Sequence, residues 1–313
     1  MSRIHEALKK AEQERAAFQA AEPETAPVHA EVPAPSAGER SNDSGDALVQ
    51  TAVIAPPKVD YLRFDDLQVQ CARPTWHHDP DTNVFLNPDT GSHGAEQFRT
   101  LRSRLYQLRA GSKQPLRSVL ITSAVPAEGK TFVASNLAQA IIRQPDRRAL
   151  LIDADLRCPR LHVPLGAPLA PGLTDYLRGE ADELAIIQHG QEGGLCLIAG
   201  GSEVTNPSEL LSNGRLKELL DRVTPVFDWV ILDSPPCLPV ADASVLADLC
   251  DAIVLVVRAG STPGAVAERA CQQLQGRPLA GVVLNAVEEA PAYGSYYYYG
   301  SGYGTPGVKD SHR

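Results

Sequence analysis

The chain lacks the features that define several common protein classes. Among its 313 residues, 38 acidic residues outnumber 29 basic ones, and this net charge of −9 argues against a general nucleic-acid binder. No apolar run approaches the roughly 18 residues that a membrane-spanning helix needs. The first residues, MSRIHEALKK, contain no apolar signal core. We therefore expect a cytoplasmic protein that is not secreted and does not itself cross a membrane.

Cysteine is scarce and scattered. The six cysteines form no C-x-x-C pair, which favours buried thiols in a reducing compartment over a disulfide or zinc framework. For the adjacent His77 and His78, no cysteine or carboxylate cluster supports a metal site. We therefore expect no metal site built from protein ligands alone.

One stretch, Val119 to Ala138, carries the strongest functional signal. It predicts a short buried strand, a loop of small residues and a helix that begins near Lys130. The loop Ala124 to Thr131 (AVPAEGKT) fits the phosphate-loop pattern G-x-x-x-x-G-K-[ST], with Ala124 in place of the first glycine. This pattern predicts that the protein binds a nucleoside triphosphate.

The residue types of this loop match the chemistry of a phosphate site. Gly129 lets backbone N–H groups and the helix N-terminus approach negative charge. Lys130 supplies a positive charge for the β- and γ-phosphates, and the Thr131 hydroxyl can hold Mg²⁺. We expect cofactor contacts from Ala127, Glu128, Gly129, Lys130, Thr131 and Phe132.

Carboxylates follow two further apolar strands. The run Arg148 to Asp155 (RALLIDAD) ends in Asp153 and Asp155, and Asp228 to Pro236 (DWVILDSPP) places Asp233 at a strand end, a Walker B signature. Ligands of parallel sheets bind beyond the carboxyl ends of the strands, so these groups should gather beside the phosphate loop.

The alternation of strands and helices predicts the fold class. Apolar strands at Ala252 to Val257 and at Ala280 to Leu284, the second followed by Asn285, complete the pattern, with helices around 206–222, 241–248 and 264–274. We expect an α/β fold, a mostly parallel sheet with helices on both faces and right-handed crossovers.

Before the predicted domain the composition changes twice. Ile4, Ala7, Leu8 and Ala11 give residues 1–20 an amphipathic helix that is marginally stable alone, either a docking helix or a frayed terminus. Residues 21–85, rich in Pro and Ala, are predicted to be a mostly disordered linker. Toward its end, apolar residues from Tyr61 to Val69 could form a short strand or pack on the domain, which we place at 86–290.

Two other segments bear on function. Gly94 to Arg109 predicts a helix with Phe98, Leu101, Leu105 and Leu108 as its buried stripe. Its Glu96, Arg99 and Arg102 would, on spacing alone, be a solvated face with one weak ion pair. Residues 291–313 are predicted to be a flexible tail that presents hydroxyl nucleophiles, namely Tyr293, Tyr296, Tyr297, Tyr298, Tyr299 and Tyr303.

These motifs resemble those of the bacterial tyrosine kinases of capsule and exopolysaccharide synthesis, a branch of the ParA/MinD-like P-loop ATPases. The similarity covers about residues 94 to 303. The family's S-A-x-P-x-E-G-K-T loop matches Ser123 to Thr131, so Ala124 is no departure within this branch. Its D-x-D-x-R-x-P, D-x-P-P and N-P-x-E-L-L patterns match segments that begin at Asp153, Asp233 and Asn206.

The resemblance implies an enzyme that uses ATP and Mg²⁺ to phosphorylate its own tyrosine tail in trans. It implies catalytic roles for Lys130, Asp153, Asp155 and Asp233, with Thr131, Asp153 and Asp233 at the metal. Either Asp153 or Asp155 would accept the tyrosine proton, and Asp153 is the preferred base. By the same resemblance Asn285 lies near the adenine, and Glu96, Arg99 and Arg102 become subunit contacts in a homo-oligomeric ring.

The resemblance also implies partners and a location. We expect recruitment to the inner face of the membrane by a membrane-bound polysaccharide co-polymerase that acts as activator, with a tyrosine phosphatase opposing the kinase. The competing interpretation is a ParA/MinD-like ATPase switch or scaffold without kinase activity. Such relatives carry a second lysine early in the loop, where this chain has Ala124-Val125, and the tyrosine tail likewise favours a kinase.

Overall fold

The computed structural model of the chain describes residues 62–86, 91–191 and 193–287. The predicted N-terminal helix, most of the linker and all six tail tyrosines lie outside the described residues. No helix within the described ranges is long and apolar enough to cross a membrane.

A seven-stranded sheet organises the described residues, in the order β3-β4-β2-β5-β1-β6-β7. All neighbouring pairs are parallel except β3 with β4, which is antiparallel. This confirms the predicted mostly parallel sheet. The strands are β1 (Ser118–Ser123), β2 (Ala149–Asp153), β3 (Ile187–His189), β4 (Leu195–Ile198), β5 (Trp229–Asp233), β6 (Ala252–Arg258) and β7 (Leu279–Asn285).

Helices cover both faces of the sheet, as predicted, because the central strands are apolar on both sides. Leu120 of β1 packs into one core and Ile121 into the other, and both are fully buried. The helices are α1 (Phe64–Gln70), α2 (Gly91–Gly111), α3 (Lys130–Ile142), α4 (His162–Leu165), α5 (Leu173–Arg178), α6 (Glu183–Ile186), α7 (Pro207–Leu211), α8 (Arg215–Val223), α9 (Asp242–Ala247) and α10 (Gly264–Gln273).

The predicted buried stripe of α2 is confirmed at Phe98 and Leu105 but is wrong at its last residue, Leu108. Phe98 and Leu105 are buried against α3, and Phe98 meets the ring of Phe132 edge-on at 5.7 Å between centroids. Leu108 is 43% exposed, because it lies along an open groove between α2 and β7.

Residues 62–86 pack on the sheet, so the packed region begins earlier than the predicted boundary at residue 86. Of the two alternatives for the apolar residues before Val69, packing on the domain is confirmed and the short strand is wrong. Phe64 and Leu67 share one face of helix α1 and are buried, while Val69 is 85% exposed. Farther on, Trp76 is buried so closely against Gly190 that a Cβ there would meet its ring at 2.6 Å.

The sheet register brings the functional strand ends together. Asp153 at the end of β2 lies directly opposite Asp233 at the end of β5, and Ile121 of β1 is paired with Asp233 on the other side. The phosphate loop leaves β1 at this edge. The three strands thus deliver the loop and the carboxylates to one place.

Candidate active site

The phosphate loop requires glycine at position 129. Gly129 adopts φ +94°, in the left-handed region, and precedes the first residue of α3. A Cβ at this position would lie 2.1 Å from Nδ2 of Asn285. Both the backbone conformation and the close approach therefore exclude a side chain.

Glu128 turns its side chain into the protein. Its Oε2 accepts a hydrogen bond from the backbone N–H of Val125 at 2.7 Å, and its Oε1 accepts one from the hydroxyl of Thr262. The side chain is only 2% exposed. Glu128 therefore braces the loop against the segment after β6, which leaves only its backbone for the predicted nucleotide contact.

Asn285 and Phe132 also contact the protein itself. The Asn285 side chain donates to the backbone carbonyl of Glu128 at 2.8 Å, so the end of β7 supports the loop directly. The ring of Phe132 packs against α2. The predicted nucleotide contacts of Asn285 and Phe132 stay predictions.

Four functional side chains meet at the loop. Lys130 Nζ lies 3.1 Å from Asp155 Oδ2. The Thr131 hydroxyl donates to Asp233 Oδ2 at 2.6 Å. The predicted lysine, hydroxyl and two of the three carboxylates are therefore in direct contact in pairs.

Burial makes these charges interdependent. Burial lowers the pKa of Lys130, but attraction to Asp233 and Asp155 outweighs it, so the net pKa is raised. Burial and then repulsion by Asp233 raise the pKa of Asp153 well above its ordinary value. Burial likewise raises the pKa of Asp233, although Lys130 and Thr131 oppose it. One ammonium group thus faces three clustered carboxylates.

The two candidate bases differ in position. Asp153 is fully buried, and its two oxygens accept backbone hydrogen bonds from Leu161 at 2.8 Å and from Asp155 at 3.3 Å. Asp155 lines the cleft beside the loop and is 5% exposed. The preference for Asp153 as base stays a prediction.

The residues around Asp233 fit a magnesium ion. Asp233 is buried, yet its Oδ1 has no hydrogen-bond partner among the described residues. The Thr131 hydroxyl lies beside the other oxygen. Hard oxygen donors of this kind, completed by substrate phosphates and water, suit Mg²⁺.

Arg157 at the same cleft binds two residues, Asp242 and Ser208, that were not among the predicted site residues. Arg157 forms a two-pronged ion pair with Asp242, at 2.7 Å from Nε and 3.1 Å from Nη2. Its Nη2 also donates to the Ser208 hydroxyl at 2.9 Å. Ser208 lies within the N-P-x-E-L-L motif, whereas nothing in the sequence singled out Asp242.

The predicted subunit-contact residues sit on α2. Glu96 and Arg99 are exposed and pair with each other. Arg102 instead donates to the backbone carbonyl of Ala140 in α3 at 2.6 Å. One of the Arg102 donors is therefore already used within its own chain.

The cleft that unites these groups has a volume of about 570 Å³. It is lined by the phosphate loop, by prolines that follow β5, and by Asp155, Arg157, Cys158 and Arg160 beyond β2. This volume is within the range of about 300 to 1,000 Å³ that is typical of ligand pockets.

Comparison with known proteins places this geometry in a family. Tyrosine-protein kinase YwqD of Bacillus subtilis is 36% identical over 221 residues, which cover 70% of this chain and 92% of that protein. Putative tyrosine-protein kinase EpsB of Ralstonia nicotianae is 38% identical over 77% of this chain and 32% of its own length. No protein-family model matches the chain.

A solved structure is similar to this chain in both sequence and fold. The kinase domain of Escherichia coli tyrosine kinase ETK superposes with a TM-score of 0.63 at 33% identity, covering 69% of this chain and 84% of that one. The chain spans nearly the whole Bacillus relative but only about a third or less of several other curated relatives. This protein belongs to the bacterial tyrosine-protein kinases and is an enzyme of that class.

Proposed function

We propose that this kinase uses ATP with Mg²⁺ to phosphorylate the tyrosines of its own C-terminal cluster. The observation that carries the proposal is the meeting of Lys130, Thr131, Asp155 and Asp233 at the phosphate loop. A lysine for phosphate, a hydroxyl and carboxylate for the metal and a further carboxylate for the acceptor are the parts that phosphoryl transfer needs.

The protein groups act mainly by positioning. Lys130 binds the β- and γ-phosphates, and the first turn of α3 directs backbone N–H groups toward them. Thr131 and Asp233 would hold Mg²⁺, which would neutralise phosphate charge. Asp153 or Asp155 accepts the tyrosine proton. Because a loose transition state needs little base strength, the main task of this carboxylate is to orient the tyrosine hydroxyl.

The last described strand, β7, ends beside the site. Asn285 at the end of β7 contacts the phosphate loop, and Tyr293 follows eight residues later. Eight extended residues span about 27 Å, so length alone permits a tyrosine to reach its own cleft. We nevertheless propose transfer in trans, within a ring whose contacts include Glu96, Arg99 and Arg102, because the family motif on α2 serves subunit contacts.

We further propose that the kinase regulates synthesis and export of an extracellular polysaccharide. A membrane-bound co-polymerase would recruit it to the inner face of the membrane and activate it, and a tyrosine phosphatase would reverse the modification. Each phosphate adds about −1.5 to −2 charges. Several phosphates on one tail would repel the carboxylate-rich cleft and drive the tail out.

Intact-mass spectrometry tests the activity. The full chain is incubated with Mg²⁺ and ATP beside Lys130→Met and a chain that ends at Pro291, with the activator's cytoplasmic segment supplied. We expect several phosphate additions on the full chain and none on either control. ATP turnover without any addition would refute the kinase proposal and favour the ATPase switch.

A mixing experiment separates trans from cis transfer. The chain that ends at Pro291 keeps the site but lacks the tail, whereas Lys130→Met keeps the tail but lacks the phosphate-binding lysine. Phosphate on Lys130→Met in the mixture establishes transfer in trans. If tails are labelled only in the wild-type chain, at a rate independent of its concentration, transfer occurs in cis.

A further inference from the structure

We propose that Asp242 and Ser208 are positioning residues that hold Arg157 as a phosphate-binding group of the nucleotide cleft. This inference rests on the proposed function, since it concerns the same cleft. The side-chain hydrogen bonds of Asp242 and Ser208 to described residues go to Arg157 and to each other, not to the phosphate loop, so both act through the arginine.

The geometry of the cluster fixes the guanidinium in one plane. Asp242 accepts from Nε and Nη2 of Arg157, and Ser208 accepts from Nη2 and donates to Asp242 Oδ1 at 2.5 Å. Two-pronged arginine–carboxylate pairs combine strength with fixed orientation. The serine closes a ring of hydrogen bonds that leaves none of the three groups free to rotate.

In the Arg157–Asp242 pair, the aspartate is buried and the arginine is exposed. The Asp242 side chain is 1% exposed, whereas the Arg157 side chain is 41% exposed and lines the cleft with Lys130 and Asp155. Burial raises the pKa of Asp242, but the hydrogen bonds from Arg157 and Ser208 outweigh it and hold the net pKa below its ordinary value. The carboxylate therefore stays charged and keeps its hold on the arginine.

Arg157 keeps unused donors. Its Nε and Nη2 serve Asp242 and Ser208, while Nη1 makes no hydrogen bond to any residue that the structure describes. A guanidinium has five N–H donors in a rigid fork that suits phosphate. An anchored arginine with a free Nη1 at the rim of a nucleotide cleft is ready to bind a phosphoryl oxygen.

A second ion pair nearby provides a structural comparison. Asp248, the residue directly after α9, and Arg277, just before β7, have matching two-pronged geometry at 2.6 and 3.1 Å. Here the aspartate is 61% exposed and the arginine does not line the cleft. This pair is the matched control, since it has the same chemistry as the Arg157–Asp242 pair and its aspartate directly follows the helix of Asp242, but it does not line the cleft.

The ligand is a phosphoryl group, from one of two sources. It is either the terminal phosphate of ATP or the phosphate of a modified tail tyrosine. The first source predicts a loss of affinity for ATP but not for ADP, which lacks that group. The second predicts a loss only for a phosphotyrosine peptide that spans residues 291–305.

The test is a double-mutant cycle on the full chain, read by calorimetric binding of Mg·ATP, Mg·ADP and the phosphotyrosine peptide. The variants are Asp242→Asn, Arg157→Gln, their combination, Ser208→Ala and the control Asp248→Asn. We expect Asp242→Asn and Arg157→Gln each to weaken one ligand by about tenfold. Ser208→Ala should weaken the same ligand less, and Asp248→Asn should leave all affinities within about twofold of wild type.

The variant that combines Asp242→Asn with Arg157→Gln tests whether Asp242 acts through Arg157. If Asp242 acts through Arg157, then Asp242→Asn adds nothing once Arg157 is replaced. Equal losses for ATP and ADP, additive losses in the combined variant, or no loss for any ligand would each overturn the inference. In those cases a wild-type chain that still binds ATP leaves the proposed function standing, whereas a wild-type chain that binds no ATP overturns both.

Stability is measured in parallel, because Arg157→Gln leaves a buried carboxylate without its partner. Removing both charges avoids that penalty, so the combined variant should melt above Arg157→Gln. Ser208→Ala leaves the ion pair intact and supplies the test of positioning in a stable chain. Selective loss of one ligand is a readout that simple destabilisation would not produce.

Discussion

Replacing Asp233 by Asn should stabilise the nucleotide-free protein while abolishing its activity. Asp233 lies in a buried group of three carboxylates that faces one lysine, and burial raises its pKa from 3.8 to about 7. Asn keeps the shape and can still accept the hydrogen bond from Thr131. The substitution therefore removes an unfavourable charge at little structural cost.

The magnitude follows from proton linkage. A carboxyl group whose pKa is raised by folding destabilises the folded state as pH rises from the unfolded pKa to the folded pKa, and the penalty is constant above it. For Asp233 this window runs from about 4 to about 7, and each pKa unit corresponds to about 1.4 kcal/mol. The full penalty near pH 7.5 is then about 4 kcal/mol, of which more than half develops above pH 5.

Thermal melting of the apo-protein in EDTA checks this. We expect Asp233→Asn to melt above wild type at pH 7.5, with an advantage that shrinks by roughly 5 °C at pH 5. Asp242→Asn is the opposite control: the pKa of Asp242 is lowered on folding, so its loss should destabilise the protein above about pH 4. An Asp233→Asn chain that melts below wild type at pH 7.5, or by a pH-independent difference, would refute the electrostatic argument.

Three further predictions concern the cleft. Gly129→Ala should abolish nucleotide binding, measured by calorimetry, because its Cβ would lie 2.1 Å from Asn285 Nδ2; normal affinity would mean that β7 moves aside. Cys158 is exposed and lines the cleft, so iodoacetamide should label it and Mg·ATP should protect it, as peptide mass spectrometry would show; equal labelling with and without nucleotide would place ATP elsewhere. Asp153→Asn and Asp155→Asn should distinguish the two candidate bases. Replacing the carboxylate that accepts the proton should lower kcat about a hundredfold with little change in ATP affinity. A substitution that weakens ATP binding instead identifies the carboxylate that serves the metal.

The sequence predicts the central sheet well because three independent signals coincide there. β1, β2 and β5 are short apolar runs, each followed directly by the phosphate loop or by an aspartate. Parallel strands end at one edge, so the meeting of Asp153 and Asp233 needs only the fold class. The glycine at 129 is likewise predictable, since its backbone conformation belongs to the motif.

Other features depend on distant or weak signals. β3 has three residues, Ile187–His189, two of them polar, and carries no periodicity that a sequence could reveal. The partner of Arg157 is 85 residues away, and only the folded chain brings it near. The loop pattern likewise does not indicate that the Glu128 side chain turns inward, because the groups that bind it include Thr262, which follows β6.

The charge of the cleft supports the proposed divalent cation. Arg157 is neutralised by Asp242, so Lys130 and the exposed Arg160 are left to face three carboxylates. A site with this negative excess repels a polyphosphate unless other positive groups compensate. The backbone N–H groups at the start of α3 supply part of that compensation. The proposed Mg²⁺ would supply the remainder, and Asp233 Oδ1, which has no hydrogen-bond partner among the described residues, is an oxygen suited to binding it.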